Sequence, residues 1–236
     1  MKLLKKILIL FFIVLAGLAY WSYLKYQEIY SPTITLENKE DEFVFIRTGS
    51  ILEDVIHQLT EQNIIHDRVS FEWVAKLKKY DSHIHPGKFK IRNGMSNNDL
   101  INLLRSGKQE PVRVTLHLIH TKEQLASKVS QKLETDSAGL VRLLNDEQFL
   151  LQDNLTKETA LSLFLPNTYQ FFWNTSAEKF VKRMIREYKR FWNDKRINRA
   201  RQIGFTPIEV ITLASIVEQE TLMNREKPTV AGVYMN

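Results

Sequence analysis

The 236-residue chain contains no cysteine. That excludes a disulfide framework, a thiolate nucleophile or metal ligand, and a cysteine-linked lipid anchor; it is compatible with an oxidising exterior. Glycine is scarce too, and its eight residues form neither a G-x-G-x-x-G nor a G-x-x-x-x-G-K-[ST] spacing. With no G-x-S-x-G elbow either, nucleotide binding and serine-hydrolase chemistry lack support. The histidine pairs His83/His85 and His117/His120 have no third acidic ligand at helical spacing, and H-E-x-x-H is absent, so no bound metal is expected. Internal repeats and low-complexity tracts are also missing.

What is present is first of all one long uncharged run. Lys2, Lys5 and Lys6 precede Ile7 to Leu24, and Tyr20, Trp21, Tyr23 and Tyr26 crowd its far end. Eighteen helical residues span ~27 Å, about the thickness of a bilayer core. Lysines before the run favour an inside amino terminus, and aromatics suit the outer interface. The pattern predicts a single-pass anchor with a cytoplasmic N-terminus. A cleaved signal peptide is the rival, because Gly17-Leu18-Ala19 has the small-x-small form of a cleavage site. Either reading sends the globular part across the membrane.

The rest, within a chain that is 44% hydrophobic and 25% charged, is composed like a folded protein of one or two domains. Its net charge of +6 is concentrated between residues 176 and 202, where ten Lys and Arg face only Glu178, Glu187 and Asp194. Such a segment invites nucleic acid, but the export signal argues against it. A solvated basic face, or contact with anionic headgroups or an acidic wall polymer, remains.

Periodicity and capping give the element order. Phe43 to Ile46 is a predicted strand, and Ser50 with Glu53 opens a helix to about Gln62. Asp67 caps a second helix, with Val69, Trp73, Val74 and Leu77 at helical spacing. A strand over 88–91 follows the Pro86-Gly87 turn. Ser96 to Asp99 starts a helix ending at Gly107, Val112 to Ile119 alternates as a strand, and Thr121 with Gln124 marks the next helix. Short helices run to about Leu163. Leu165 to Phe172 is too broken by Pro and Asn for a helix. Thr175 and Glu178 head one long basic helix, whose Phe180, Met184, Tyr188 and Phe191 or Trp192 form a core-facing stripe.

The strongest chemical signal follows Thr206-Pro207-Ile208-Glu209, a capping box with proline at the first helical position. On that helix Val210, Ile211, Leu213, Ala214, Val217 and Leu222 share one broad face, and Glu218 falls within it. A carboxylate turned into an apolar face loses hydration and can retain a proton, as a general acid requires. The alternative is a structural glutamate paired with an arginine or held by backbone donors. If the helix continued, Glu226 would lie ~12 Å from Glu218 along the axis, beyond the ~5–9.5 Å of paired-carboxylate glycosidases. A mechanism resting on one acid fits better.

Leu213-Ala214-Ser215-Ile216-Val217-Glu218-Gln219-Glu220-Thr221, Arg225-Glu226-Lys227 and Val230 to Asn236 resemble the signature of the endolytic murein transglycosylases, the YceG-like (MltG-type) family. Leu165-Pro166-Asn167-Thr168-Tyr169 is similar to a second family segment. The resemblance implies an α+β protein: anchor at 1–27, linker at 28–42, a small LysM-like βααβ module at 43–95 and a catalytic domain at 96–236. It implies Glu218 as the catalytic residue, with Glu226, Glu220, Ser215 and Thr221 supporting and Tyr169 and Asn167 as candidate substrate contacts. No cofactor is implied. The expected partners are peptidoglycan glycan strands, the inner (cytoplasmic) membrane and peptidoglycan synthases, with the catalytic domain extracytoplasmic.

The implied reaction breaks the β-1,4 bond between N-acetylmuramic acid and N-acetylglucosamine without water and leaves a 1,6-anhydro end. A non-catalytic, membrane-anchored wall-binding scaffold and an ordinary hydrolase are the alternatives. The family pattern continues past Asn236, so the sequence also reads as C-terminally truncated.

Overall fold

The computed structural model describes residues 2–37, 39–153 and 155–235, with side chains from Lys5 onward. The chain divides into two compact units, 1–111 with 172–174, and 112–171 with 175–236.

The first unit begins with helix α1 (Lys2–Tyr30), whose apolar stretch is exposed on every side and is long and apolar enough to cross a membrane. Its last turns dock instead. Lys25 lies 4.6 Å over the Trp73 ring, Ile29 packs against the unit's core, and the Asn97 amide donates to the Glu28 carbonyl at 3.0 Å. The chain stays attached beyond the helix: Thr33 and Ile34 donate to the Met95 carbonyl, and Ile34 and Leu36 are buried.

Strand β1 (Asp41–Ile46), helices α2 (Leu52–Glu61) and α3 (Arg68–Leu77), strand β2 (Gly87–Arg92) and helix α4 (Asn97–Ser106) complete the unit. The two strands pair antiparallel with Asp41 opposite Arg92 and Ile46 opposite Gly87. Alternation buries Val44, Ile46, Phe89 and Ile91 against Phe71, Val74, Leu100 and Leu104 of the helices, and leaves Phe43 and Phe45 on the outer face. Asp67 caps α3 by accepting from the Ser70 amide, and Ser96 with Asp99 forms the box at the head of α4. Gly107 ends α4 in the left-handed region (φ 65°), with the His85 ring 3.2 Å from where a Cβ would stand. The α2 box lies one residue later than predicted: Asp54 accepts from the Ile51 amide, while Glu53 pairs with Arg68. Phe172–Asn174 also belongs to this unit; Trp173 meets Phe45 edge-on at 5.3 Å and Asn174 donates to the Pro86 carbonyl.

The second unit holds strand β3 (Val112–Leu116), helices α5 (Lys122–Ser130), α6 (Ser137–Leu143) and α7 (Glu147–Leu151), a 3-10 turn at Ala160–Leu163, strand β4 (Asn167–Phe171), and helices α8 (Ala177–Phe191), α9 (Asp194–Gln202), α10 (Pro207–Glu220) and α11 (Lys227–Met235). β3 and β4 pair antiparallel, Val112 opposite Phe171 and Leu116 opposite Asn167. Val114, Leu116, Tyr169 and Phe171 point into a core closed by Leu125, Val129, Leu140 and the α8 stripe. Phe180 is its centre, fully buried, with ring centroids 5.0 Å from Phe171 and 5.9 Å from Phe164.

Two expectations for this unit are corrected. β3 stops at Leu116, because Leu118 takes a positive φ of 51° and turns the chain out of the ladder. The segment before α8, read as too broken for a helix, agrees with that reading and contains strand β4. The single basic helix is two: α8 ends at Phe191, and Asn193, accepting from the Arg196 amide, caps a separate α9. The whole is a mixed, segregated arrangement of helices and two small antiparallel sheets.

Candidate active site

Thr206 accepts from the Glu209 amide, and the Glu209 carboxylate accepts from the Thr206 amide at 2.7 Å and from its hydroxyl at 2.8 Å. Those donations, the backbone one foremost, hold the Glu209 carboxyl below the usual carboxylate range and fix where α10 starts. Everything downstream on α10 takes its angular position from that start. The apolar arc read from the sequence is therefore real as an arc, but it does not face a core. Only Val217 is buried on α10; Val210, Ile211, Ala214, Ser215, Glu218 and Gln219 line an open cleft of about 850 Å³ within the second unit. Leu222, assigned to the same arc, lies beyond the helix end and is 90% exposed.

The rest of the cleft comes from three pieces of chain. The loop after β3 contributes His117 to His120, Leu165 and Pro166 enter from before β4, and Phe191, Trp192, Arg196, Arg199 and Ile203 come from the α8–α9 junction. The break at Asn193 turns Arg196 and Arg199 onto this wall. Arg196 donates to the Phe191 carbonyl at 2.8 Å and stacks over its ring at 4.2 Å, which leaves Arg199 the freer cation for a ligand. Leu118, a branched residue in the left-handed region, stores strain on the order of 1–3 kcal/mol at the rim. The Trp192 indole N–H is buried with no acceptor among the described residues.

Glu218 is the one carboxylate on the cleft wall among the described residues. Its side chain is 44% exposed, and Oε2 receives the Lys227 ammonium at 2.5 Å. The carboxylate that the helical wheel turned into a core is thus half-exposed at an open cleft. Its neighbours are ordered in pairs: the Gln219 amide is hydrogen-bonded to His120 Nδ1 at 2.9 Å, Thr221 Oγ1 donates to Glu226 at 2.8 Å, and the Tyr234 hydroxyl donates to Glu220 at 2.9 Å. That last contact pushes the Tyr234 hydroxyl up from its ordinary value. Three of these contacts, Glu218–Lys227, Thr221–Glu226 and Glu220–Tyr234, clasp α10 to the turn and helix that follow it.

Of the residues singled out from sequence, Glu218 and Ser215 reach the cleft, and Ser215 donates to the Thr212 carbonyl. Glu220, Thr221 and Glu226 serve the clasp. Tyr169 is buried, its hydroxyl donating to the Leu165 carbonyl, and burial raises that hydroxyl's pKa; it is a core residue rather than a sugar platform. Asn167, at the exposed start of β4, turns its side-chain oxygen to the Thr168 amide. Sequence reasoning missed Lys227 and the pairing of Gln219 with His120. Lys227 stood inside a quoted motif, but only the chain reversal after Thr221 brings it to Glu218. Among the described residues no three His, Asp or Glu side chains gather as metal ligands.

An α+β chain with, among the described residues, one carboxylate on the wall of an apolar cleft is one class; the family model that matches it narrows the class. The YceG-like family model covers residues 44–236, and the chain belongs to that family. Among its relatives are two curated proteins named endolytic murein transglycosylase, from Streptococcus pneumoniae serotype 2 strain D39 / NCTC 7466 and from strain ATCC BAA-255 / R6. Each is 24% identical over 264 residues, covering 98% of this chain and 47% of the relative. The chain spans about half the length of the curated relatives it matches. A crystal structure of a yceG-like protein from Listeria monocytogenes overlaps with a TM-score of 0.48 at 18% identity, covering 80% of this chain and 67% of that one.

Proposed function

We propose that this chain is a membrane-anchored endolytic lytic transglycosylase of peptidoglycan, with Glu218 as its catalytic acid and then base. The observation that supports it most is the position of Glu218, the one carboxylate on the cleft wall among the described residues, in a chain of the YceG-like family. A single acid suits a reaction whose nucleophile is already part of the substrate. Protonated Glu218 gives its proton to the glycosidic oxygen between N-acetylmuramic acid and N-acetylglucosamine as the bond opens. The resulting carboxylate takes the proton of the muramyl C6 hydroxyl, whose oxygen closes on C1 to form the 1,6-anhydro end. Proximity replaces a second carboxylate and an ordered water.

The Glu218–Lys227 pair sets a condition on this mechanism. A general acid must meet its bond protonated, so the pair has to part when glycan fills the cleft and expels water. Lys227 then returns to the carboxylate left after proton donation. Residues 43–95, with their strand–helix–helix–strand order, serve as a LysM-like glycan-binding module, and α1 holds the protein in the inner membrane with the chain after it outside. Peptidoglycan synthases are the neighbours this placement would give it.

The half-exposed, ion-paired state of Glu218 favours a second reading, a non-catalytic wall-binding scaffold. Mass spectrometry of glycan strands after incubation with the full chain in detergent separates the two. Anhydro-ended fragments that fall about 10²–10⁴-fold in Glu218→Gln support the transglycosylase. Reducing muramic acid ends would mean a hydrolase, and strand binding with no product from either version would leave the scaffold.

A further inference from the structure

We infer that the Val69–Trp73–Leu77 face of helix α3 rests in the headgroup layer of the membrane that holds α1, so that the first unit is docked on the bilayer. The inference rests on reading α1 as the membrane anchor. Lys25 is the first charged residue after the apolar run, which places it at the boundary between hydrocarbon and headgroups. Its ammonium lies 4.6 Å over the Trp73 ring, so Trp73 shares that depth. The helix stays unbroken to Tyr30, and from Leu24 to Tyr30 it rises only ~9 Å, comparable with a headgroup layer of about 5–8 Å per leaflet.

The α3 surface at that depth has the composition of an interfacial helix. Val69 and Leu77 stand one turn to either side of Trp73 and are 78% and 59% exposed, a cost in water that an interface removes. Lys78 and Lys79 follow Leu77 and supply cations toward phosphate, whereas Lys76 is paired with Glu72 on the same helix. Lys78 is already partly desolvated, and it is held by the side-chain oxygens of Asn98 and Asn102. The face is continuous with a helix that is apolar on every side, and lipid is the occupant that this continuity selects.

The absence of cysteine makes the test direct. Val69→Cys, Leu77→Cys, Val14→Cys in the anchor and Phe43→Cys on the outer face of the β1–β2 sheet are each labelled with an environment-sensitive fluorophore. The full chain is reconstituted in phosphatidylcholine–phosphatidylglycerol vesicles carrying nitroxide either on the headgroup or in mid-acyl chain. Labels at 69 and 77 are expected to lose about half their emission or more to the headgroup nitroxide, as groups within that layer should, while the label at 43 is nearly unaffected. Labels at 69 and 77 that match 43, with the Val14 label quenched from mid-chain, would overturn the docking and leave the anchor intact. An unquenched Val14 label would remove the anchor and the inference together.

Discussion

Helix α11 has no buried residue, and Val233, Tyr234 and Met235 are 72%, 51% and 45% exposed. At nine residues it is too short to hold itself in water, so its order depends on the three clasps to α10. The Glu218–Lys227 pair, with side chains 44% and 25% exposed, contributes about 0–1 kcal/mol. The Thr221–Glu226 hydrogen bond adds about 1 kcal/mol, and the fully exposed Tyr234–Glu220 contact orients the helix without adding to that sum. Local opening should therefore cost about 1–2 kcal/mol, a protection of roughly 5- to 30-fold for amides 227–235. α8, with Phe180, Val181, Met184 and Ile185 buried, should exchange only with unfolding of its unit, at about 5–15 kcal/mol. Hydrogen exchange read by mass spectrometry on peptides from both helices makes the comparison. Thr221→Val with Lys227→Met removes both contributions and should bring the α11 amides close to the exchange of an open chain, leaving α8 unchanged. Protection of α11 equal to that of α8, or indifference of α11 to the double substitution, would refute the reasoning and show that apolar packing orders the hairpin.

Phe180→Ala removes a ring that touches Phe164 and Phe171 and should cost about 3–5 kcal/mol, lowering the urea midpoint of the second unit by roughly 1–3 M; the Trp192 signal, with the other tryptophans replaced, reports it. Asp99 carries the pH prediction. The Ser96 hydroxyl foremost, with its amide, donates to the Asp99 carboxylate and holds its pKa below the ordinary aspartate value. A carboxyl lowered in the folded state stabilises above the unfolded value of about 3.9 and loses that contribution as pH falls through the folded one. The stability gap between the natural chain and Asp99→Asn should thus be about 1 kcal/mol at neutral pH and close below about pH 4; chemical denaturation across that range measures it.

Much of the first unit was legible because its helices announce themselves through local chemistry. Asp67, Ser96 and Gly107 act within a turn of where they stand, and capping is a short-range rule. The site was legible only in part. The position of Glu218 on an apolar arc followed from periodicity, but a wheel cannot tell a core from an unfilled cleft, because both select apolar side chains. Leu222 was misassigned by running the wheel past the end of the helix. The break in the basic segment had a signal, Asn193-Asp194 as cap and first-turn acid, masked by the uniform run of lysine and arginine around it. Lys227 lay beyond local rules, since its approach to Glu218 depends on a reversal of the chain.

Three residues between β4 and α8, Phe172–Asn174, belong to the other unit, where Trp173 packs on Phe45. The chain therefore changes unit at 111/112, again at 171/172 and again at 174/175. No single scission yields two whole pieces. A gene fragment beginning at Val112 would strand an indole in solvent and strip the aromatic cover from the sheet it came from. Shuffling these units between homologues would need three crossovers that agree with one another, so recombination should inherit them as one block even though each has a core of its own.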